Sequence, residues 1–437
     1  MVLSINVGML GLGTVGTGTA KILLDPASRH PLVSQLTLAR VGLRSLDKPR
    51  SVDLPRHCLT TDLDSIVTDP DIAVVVEVLG GVEPARSLIL KAIAHGKHVV
   101  TANKAVIARY GDEIFTAANQ AGVYVLLEAA VGGGIPVIQP LKQALGVNRI
   151  DGVTGIINGT TNYILTRMQR EGGDFEAILA DAQHLGYAEA DPAADVDGLD
   201  AADKIAILAS LAFAGRIRLT DVYTEGIRQV TAADMAYAQR LGFVIKLLAI
   251  ARRQICPDSQ QALEELQLRV HPTLVPESHP LAAVNDVYNA ILIEGEPIGQ
   301  VMFFGPGAGE GPTASAVVSD LITLVAAIMA GPSTASNPLL ACSHQHYCKI
   351  SPMADIVSRF YVRLLAKDRP GVIGKLGLCF GNHAVSLESI VQTGLQGDCA
   401  EIVVVSHEVR EANFQTALDE MREFEEIERI ASILRVL

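Results

Sequence analysis

The first part of the chain alternates short apolar runs, rich in Val, Ile and Leu, with segments whose apolar residues recur at helical spacing. The runs predicted as strands are residues 5–10, 36–43, 72–79, 98–101 and 123–127. Between them, residues 83–95 have the pattern of an amphipathic helix, followed by a capping glycine, Gly96. Nearly continuous apolar strands separated by helices are typical of a parallel sheet covered on both faces. We therefore predict a doubly wound α/β domain.

The pattern changes from about Ile150 onward. A strand is predicted at 150–157 and helices at 161–170, 175–185, 199–214 and 232–252, followed by strands at 266–270, 290–294 and 301–304. This mixture indicates an α+β domain. An apolar helix is then predicted at 316–329. Polar residues interrupt it and it is shorter than the roughly 20 residues that span a bilayer, so we expect a core helix and no membrane anchor.

The last 80 residues predict the order strand, helix, strand, strand, helix, strand, which is the ferredoxin-like βαββαβ order. These six elements are predicted at residues 360–365, 371–381, 386–392, 400–406, 412–422 and 430–436. We predict domains at 1–135 (completed by a helix at 313–331), 136–312 and 356–437. A polar stretch at 332–355 is interpreted as a linker.

Charge and the N-terminal sequence narrow the classes of partner. The 437-residue chain is 49% hydrophobic and carries a formal net charge of −13, which argues against a nucleic acid or an anionic membrane as partner. The N-terminus leads directly into the first predicted strand without the charged leader of a signal peptide. We therefore expect a cytoplasmic protein.

The six cysteines form no C-x-x-C pair and are interpreted as reduced, mostly buried thiols of a cytosolic protein. They are Cys58, Cys256, Cys342, Cys348, Cys379 and Cys399. Residues 342–348 bring Cys and His close together in sequence, which leaves a zinc site as an alternative. Structural zinc sites usually draw on two separated ligand pairs, so a polar linker is the preferred interpretation.

A glycine-rich turn follows the first predicted strand and opens a helix. It consists of Gly11, Leu12, Gly13, Thr14, Val15 and Gly16. The first glycine permits a tight turn, the second admits a pyrophosphate to the backbone, and the third permits close helix–strand packing. Glycine turns match this spacing by chance, but the strand–turn–helix context predicts a Rossmann-like dinucleotide site.

The end of the second predicted strand distinguishes NADP from NAD. An Asp or Glu at this place would hold a ribose hydroxyl, but the chain has Arg44, Lys48 and Arg50 instead. These cations can neutralise a 2′-phosphate, with Arg44 best placed and Lys48 beside it. We expect NADP(H) to be preferred and NAD(H) to remain possible. The alternative is an ordinary solvated turn.

Six carboxylates precede one lysine in residues 186–204. They are Glu189, Asp191, Asp195, Asp197, Asp200 and Asp203. An EF-hand is excluded, because counting from Asp195 places Asp200 where the loop needs glycine and Ala206 where it needs glutamate. Asp200 and Lys204 share one helix face, which alone indicates a surface pair worth roughly 0.3–0.5 kcal/mol. The apolar residues that follow make the helix largely buried, and this favours a functional site.

The chain resembles the homoserine dehydrogenases over nearly its full length. The matching stretches are GLGTVGTG (11–18), EVLGG (77–81), TANKA (101–105), EAAVGGGIP (128–136), GYAEADPAADVDGLDAADK (186–204) and GPGAGEGPTASAV (305–317). The resemblance implies reversible hydride transfer between aspartate 4-semialdehyde and homoserine with NAD(P)H. It also assigns the segment 136–312 to substrate binding and dimerisation.

The resemblance implies roles for particular residues. Lys204 corresponds to the proton donor, and Lys104 to a second catalytic lysine near the reacting centre that also contacts the cofactor. Glu189 and Asp200 would hold the substrate, and Gly305 would contact the cofactor. The resemblance also implies a Na⁺ or K⁺ ion bound mostly by backbone carbonyls, at Glu128, Val131, Gly133 and Ile135.

The tail resembles the ACT domains, modules that commonly bind an amino acid at a domain interface. The resemblance implies a ligand loop formed by Asp368, Gly371, Val372 and Ile373, with Asn382 as a second position. Threonine is the expected effector, and we expect a homodimer or a homotetramer.

Two other functions remain open at this stage. One is another NADP-dependent amino-acid dehydrogenase with the same first domain. The other is a non-catalytic NADP or amino-acid sensor, but such a protein should have lost Lys104 or Lys204, and both are present.

Overall fold

The computed structural model describes residues 4–255, 264–331, 337–342, 344, 346–396 and 399–437. The chain forms two compact units. The first comprises Met1–Val153, Asp203–Thr220 and Asn289–Cys348, and the second comprises Thr154–Ala202, Asp221–Tyr288 and Lys349–Leu437. The domain boundaries predicted from sequence divide the chain more finely than these units and stay a prediction.

The described strands, in chain order, are β1 (Ile5–Leu10), β2 (Leu36–Gly42), β3 (Leu59–Thr60), β4 (Val74–Glu77), β5 (His98–Thr101), β6 (Val125–Leu126), β7 (Arg149–Ile156), β8 (Tyr223–Thr224), β9 (Phe243–Ile255), β10 (Glu264–Pro276), β11 (Tyr288–Glu296), β12 (Gly299–Pro306), β13 (Val357–Lys367), β14 (Leu387–Gln396), β15 (Cys399–Ser406), β16 (Val409–Arg410) and β17 (Ile427–Val436).

The described α-helices are α1 (Thr14–Leu24), α2 (Asp64–Val67), α3 (Ala85–Ala94), α4 (Lys104–Ala121), α5 (Ile138–Lys142), α6 (Gly159–Glu171), α7 (Phe175–His184), α8 (Ala193–Val196), α9 (Leu199–Ala212), α10 (Ala232–Arg240), α11 (Glu310–Met329), α12 (Val372–Asn382) and α13 (Glu411–Arg422).

The first unit contains the predicted doubly wound domain. Its six strands run parallel in the order β3-β2-β1-β4-β5-β6, so the order reverses between β1 and β4. A crevice for ligands is expected at this point, outside the carboxyl ends of the strands. The sequence pattern predicted β1, β2, β4, β5 and β6 within a few residues, but it missed the two-residue strand β3 and the helix α4.

The helix α11 packs in the core of the first unit. Val317, Leu321 and Leu324 are fully buried in the cluster formed by β1, β2 and β4. The helix has 20 residues, so the sequence-based length was too short. By length and composition alone α11 could span a membrane. This is weak evidence for a membrane segment, because half of its most apolar stretch is buried within the protein.

The second unit is built on the antiparallel pair β9 and β10. The predicted helix at 232–252 is wrong beyond Arg240, where α10 ends, because Gly242 adopts a φ of +78° and the chain continues as β9. The run from Val244 to Ala251 is buried at every position. A continuously buried run has no period that separates a helix from a strand.

The tail has the predicted βαββαβ order, with the short strand β16 added. Its four main strands lie in the order β17-β13-β15-β14. Both helices pack on one face of this sheet around their own core, in which the Phe360 and Phe414 rings stack 4.2 Å apart.

The tail is nevertheless continuous with the rest of the second unit. β17 pairs in parallel with β10, and the buried Arg363 Nε donates to Asp234 Oδ1 in α10 at 2.8 Å. Arg435 forms similar contacts with Glu411 at 2.6 Å and with Glu225 at 2.9 Å. Removing one partner of a buried ion pair costs about 3–5 kcal/mol, so we do not expect the tail to be removable without loss of stability.

Five cysteines lie among the described residues, and none of these forms a disulfide. Cys58, Cys379 and Cys399 are buried, as the sequence predicted. Cys256 lies outside the described residues.

Candidate active site

The glycine turn after β1 has the geometry of a phosphate-binding loop. Gly11 has a φ of +107°, and a Cβ there would lie 2.7 Å from the Val78 carbonyl oxygen. A Cβ on Gly16 would overlap the Gly11 carbonyl oxygen, whereas a Cβ on Gly13 would meet nothing within 4 Å. The first and third glycines are therefore required by packing. Gly13 faces open space at the start of α1, where a pyrophosphate can approach backbone N–H groups.

Arg50 connects this loop to the segment that follows β2. Its Nη1 donates to the Leu12 carbonyl at 3.1 Å, and its Nη2 donates to the Ser45 carbonyl at 2.8 Å. Arg44 and Lys48 are exposed in the same segment. Sequence reasoning ranked Arg44 above Arg50 for the ribose phosphate. In the structure Arg50 stabilises the glycine loop, a role that the sequence did not indicate.

A buried carboxylate organises the carboxyl ends of β4 and β5. Glu77 is fully buried, and it accepts hydrogen bonds from Leu79 N at 2.9 Å and Thr101 Oγ1 at 2.7 Å. The Asn103 side-chain amide donates to the same carboxylate at 3.4 Å. Burial raises the pKa of Glu77, and these hydrogen bonds oppose that rise.

Asn103 connects the Glu77 carboxylate to the start of the next helix, α4. Its Nδ2 donates to the Gly81 carbonyl at 2.7 Å, and its Oδ1 accepts from Val106 N, so that it caps α4. Lys104 is the first residue of that helix. Sequence reasoning recognised the stretches around Glu77 and Asn103 only through the resemblance and missed the hydrogen bonds that connect them.

Lys204 lies half-buried on α9 in the same unit. The neighbouring Asp203 pairs with Arg109 of α4 at 3.0 Å, and only 9% of the aspartate side chain is exposed. One ion pair therefore joins the two helices that carry Lys104 and Lys204. Nothing in the sequence pattern singled out Arg109.

The substrate-binding candidates lie in the second unit. Asp200 is buried and accepts from Asn158 Nδ2 at 2.9 Å, and the same amide donates to Asp195 Oδ1 at 2.7 Å. Asn158 also caps α6. Glu189 is exposed in the loop after α7. Asn158 was not predicted, although it is the residue that brings two of the six carboxylates together.

The segment proposed for the alkali ion surrounds a second buried carboxylate. Glu128 is 2% exposed and accepts from Val137 N, Ile138 N and Gln139 N at 2.7–2.8 Å. Burial raises the pKa of Glu128 and raises that of Asp320, which accepts from Glu128 N, to about 7. The Glu128 carboxylate thus holds the backbone at the start of α5. The expected ion site at the carbonyl oxygens of Glu128, Val131, Gly133 and Ile135 stays a prediction.

The remaining candidates lie at the end of β12 and in the tail. Gly305 is the second-to-last residue of the strand β12, before the glycine-rich loop that leads into α11. In the tail, Asp368, Gly371, Val372 and Ile373 line a cavity of about 210 Å³. Asn382 ends α12, and it is not among the described residues that line this cavity.

The sheet order and the glycine loop define a dinucleotide-binding enzyme of the Rossmann class. The family model for the homoserine dehydrogenase NAD-binding domain matches residues 11–128, and that for homoserine dehydrogenase matches residues 136–322. The chain belongs to the homoserine dehydrogenase family, oxidoreductases that act on CH–OH groups.

Individual relatives match over most of the chain. Homoserine dehydrogenase of Synechocystis sp. is 64% identical over 436 residues, covering 100% of both chains. A homoserine dehydrogenase structure from Thiobacillus denitrificans has a TM-score of 0.89 and 40% identity, over 99% of this chain and 98% of the other. A hyperthermophilic archaeal homoserine dehydrogenase in complex with NADPH has a TM-score of 0.61 and 25% identity, over 76% of this chain and 100% of the other.

Two glycine variants should separate packing from cofactor binding. Gly16→Ala should lower the denaturation midpoint, because its Cβ overlaps the Gly11 carbonyl oxygen. Gly13→Ala should keep the wild-type midpoint but weaken cofactor binding, because its methyl group enters the open space beside the loop. Gly311→Ala in α11, where a Cβ also meets nothing within 4 Å, is the control for both measurements. If Gly13→Ala bound the cofactor with wild-type affinity, the pyrophosphate would not approach the backbone at Gly13 as assigned.

Proposed function

We propose that the protein interconverts L-aspartate 4-semialdehyde and L-homoserine with NADP(H) as the preferred cofactor, as a step of threonine, methionine and isoleucine biosynthesis. The observation that carries the proposal is the joining of α4 and α9 by Arg109 and Asp203 within the unit that contains the glycine loop. This contact holds the helices of Lys104 and Lys204 together.

When bound, the nicotinamide cofactor supplies or accepts the hydride at the substrate carbonyl carbon. Lys204 donates a proton to the aldehyde oxygen as negative charge develops there, and accepts it in the reverse direction. Lys104, fixed by the Asn103 cap, contributes a second positive charge near the cofactor. Glu189 binds the substrate ammonium group, and Asp200, oriented by Asn158, completes the substrate contacts.

Replacement of Lys204 tests this mechanism. Lys204→Ala should lower kcat by roughly 10²–10⁴-fold, because general acid–base assistance is lost while cofactor contacts remain. Steady-state kinetics of homoserine oxidation and calorimetry with NADPH would measure the two effects. Lys91→Ala, which removes a surface lysine paired with Asp64 in the same unit, is the matched control. Near-normal turnover in a folded Lys204→Ala protein would exclude the role.

The preference for NADP rests on the cationic segment after β2. Arg44 and Lys48 are exposed there, and the archaeal relative is described in complex with NADPH. Arg50 already donates to the glycine loop, so Arg44 and Lys48 are the side chains available to a 2′-phosphate.

Two arginine variants should therefore behave differently. Arg44→Ala should raise the KM for NADP by tenfold or more relative to that for NAD, since a charge-assisted contact contributes roughly 1.5–3 kcal/mol. Arg50→Ala should raise both KM values, because it releases the glycine loop. Exposed Arg29→Ala is the control. Equal effects of Arg44→Ala on the two cofactors would show that another residue recognises the phosphate.

We further propose that a Na⁺ or K⁺ ion binds the carbonyl oxygens of Glu128, Val131, Gly133 and Ile135. We also propose a cytoplasmic homodimer or homotetramer. The large apolar side chains of Met302 and Phe304, 40% and 55% exposed on the edge strand β12, support association with a second copy.

The tail is proposed to be an ACT domain that binds threonine. Its 210 Å³ cavity presents the Asp368 carboxylate to an ammonium group and the start of α12 to a carboxylate. Within the second unit, Arg363 and Arg435 connect the tail to α10 and to Glu225. These buried contacts provide a physical route by which ligand binding can favour a less active arrangement.

A point variant tests threonine regulation without removing the tail. Threonine should inhibit homoserine oxidation by the wild-type enzyme, and Asp368→Ala should require at least tenfold more threonine, because the ammonium partner is lost. Asp419→Ala, an exposed carboxylate elsewhere in the tail, should respond as the wild type does. Unchanged inhibition of Asp368→Ala would place the effector elsewhere. Calorimetry that detects no threonine binding to the wild type would leave the tail an assembly module.

A further inference from the structure

The first unit contains a cavity of about 660 Å³, which is separate from the smaller cavity of the tail. Its walls are α4, Leu127, the last turns of α9, residues 216–220 and three residues further along the chain, Cys342, His344 and Tyr347. No described residue of the glycine loop lines it, and neither Lys104 nor Lys204 does. The volume is in the range of small-molecule sites, roughly 300–1,000 Å³.

Much of the wall is apolar. These side chains are Ile107, Phe115, Leu127, Ile207, Leu211 and Leu219. Protein interiors are normally close-packed, with few voids larger than a water molecule. Apolar groups from two helices and a loop that face a space of this size are therefore suited to the apolar body of a ligand.

The polar part of the wall is cationic. Arg109, Arg216 and Arg218 line the cavity, against the single carboxylate of Asp112. Arg109 pairs with Asp203, but Arg216 and Arg218 have no carboxylate partner among the described residues. In a chain of net charge −13, this local excess of guanidinium groups favours an anionic ligand.

The cationic groups are held in place by the surrounding structure. Arg216 Nε donates to the His344 carbonyl at 2.8 Å, and its Nη2 donates to Thr116 Oγ1 at 3.2 Å. The exposed Arg218 guanidinium lies 4.1 Å from the centre of the Tyr347 ring, within the range of cation–π attraction. A rigid planar guanidinium is well suited to a carboxylate.

Cys342, His344 and Tyr347 form one wall of the cavity, and hydrogen bonds hold this wall to the first unit. Tyr347 donates its hydroxyl to Asp112 Oδ2 at 3.1 Å, which occupies the one carboxylate in the lining. Asn119 Nδ2 donates to the Cys342 carbonyl at 2.7 Å, and Cys348 N donates to the Arg216 carbonyl at 3.0 Å. Described residues of the stretch interpreted from sequence as a polar linker thus make specific contacts with α4 and with residue 216.

We propose that this cavity binds a small organic monocarboxylate with an aromatic or branched aliphatic body. The body packs against the apolar residues of α4 and α9, and the carboxylate pairs with Arg216 and Arg218. The site is distinct from the positions proposed for cofactor, substrate and threonine.

Calorimetry on the full-length protein tests the proposal with 3-phenylpropionate as the probe. We expect saturable binding at millimolar concentrations or below, and no binding of the neutral analogue 3-phenylpropanamide. Saturating homoserine and NADP should not displace the acid. Arg218→Gln should weaken binding by about tenfold, because one charge-assisted contact is lost. Exposed Arg29→Gln should bind as the wild type does.

A second variant addresses the apolar part of the cavity. Leu219→Trp should fill the space and abolish binding while leaving homoserine oxidation unchanged. The proposal is overturned if the wild type does not bind 3-phenylpropionate, if the amide binds equally, or if homoserine displaces the acid. A change of assembly mass in Leu219→Trp, seen by sedimentation together with no acid binding to the wild type, would also overturn it and assign this face to a second copy.

Discussion

The buried carboxylate of Glu77 holds together the carboxyl ends of β4 and β5 and the start of α4. The proposed catalytic arrangement of the first unit depends on it. A fully buried carboxylate is tolerated only if hydrogen bonds replace its water. Its three donors come from the loop after β4, the end of β5 and the residue that caps α4. These contacts fix the β4 loop that packs against Gly11 and, through Asn103, the start of the helix that opens with Lys104. One carboxylate therefore links the dinucleotide loop to a lysine of the proposed reaction.

The second unit also depends on buried charge. Asp234 and Arg363 are 0% and 6% exposed in their side chains, so separating them would leave an uncompensated charge in the interior. Asp234 also completes the capping box of α10 with Thr231. A helix terminus and the tail sheet thus share one carboxylate. This makes the tail part of the second unit's structure, and it is the reason that a point variant is a sharper test of regulation than truncation.

The sequence predicted those features that local patterns determine. The glycine turn, the parallel strands and the βαββαβ order of the tail follow from spacing and apolar periodicity within short windows. The strand β9 was mistaken for helix because a continuously buried run carries no period. The helix α4 was overlooked, although its buried residues Val106, Ile107, Ile114 and Ala118 recur at helical spacing. Arg109, Asn158 and Glu77 were not identified from the pattern, since each acts through partners more than twenty residues away in sequence.

Local charge explains more about recognition in this protein than its overall charge does. The net charge of −13 disfavours anions over the chain as a whole, yet several arginines lie where an anion or a buried carboxylate must be met. After β2 they face the proposed ribose phosphate, and in the tail Arg363 and Arg435 compensate buried carboxylates. At the cavity beside α4, Arg216 and Arg218 have no such compensation among the described residues. Arginines paired with buried carboxylates stabilise the fold, and those whose charge is not balanced by a described carboxylate are the most available to an anionic ligand.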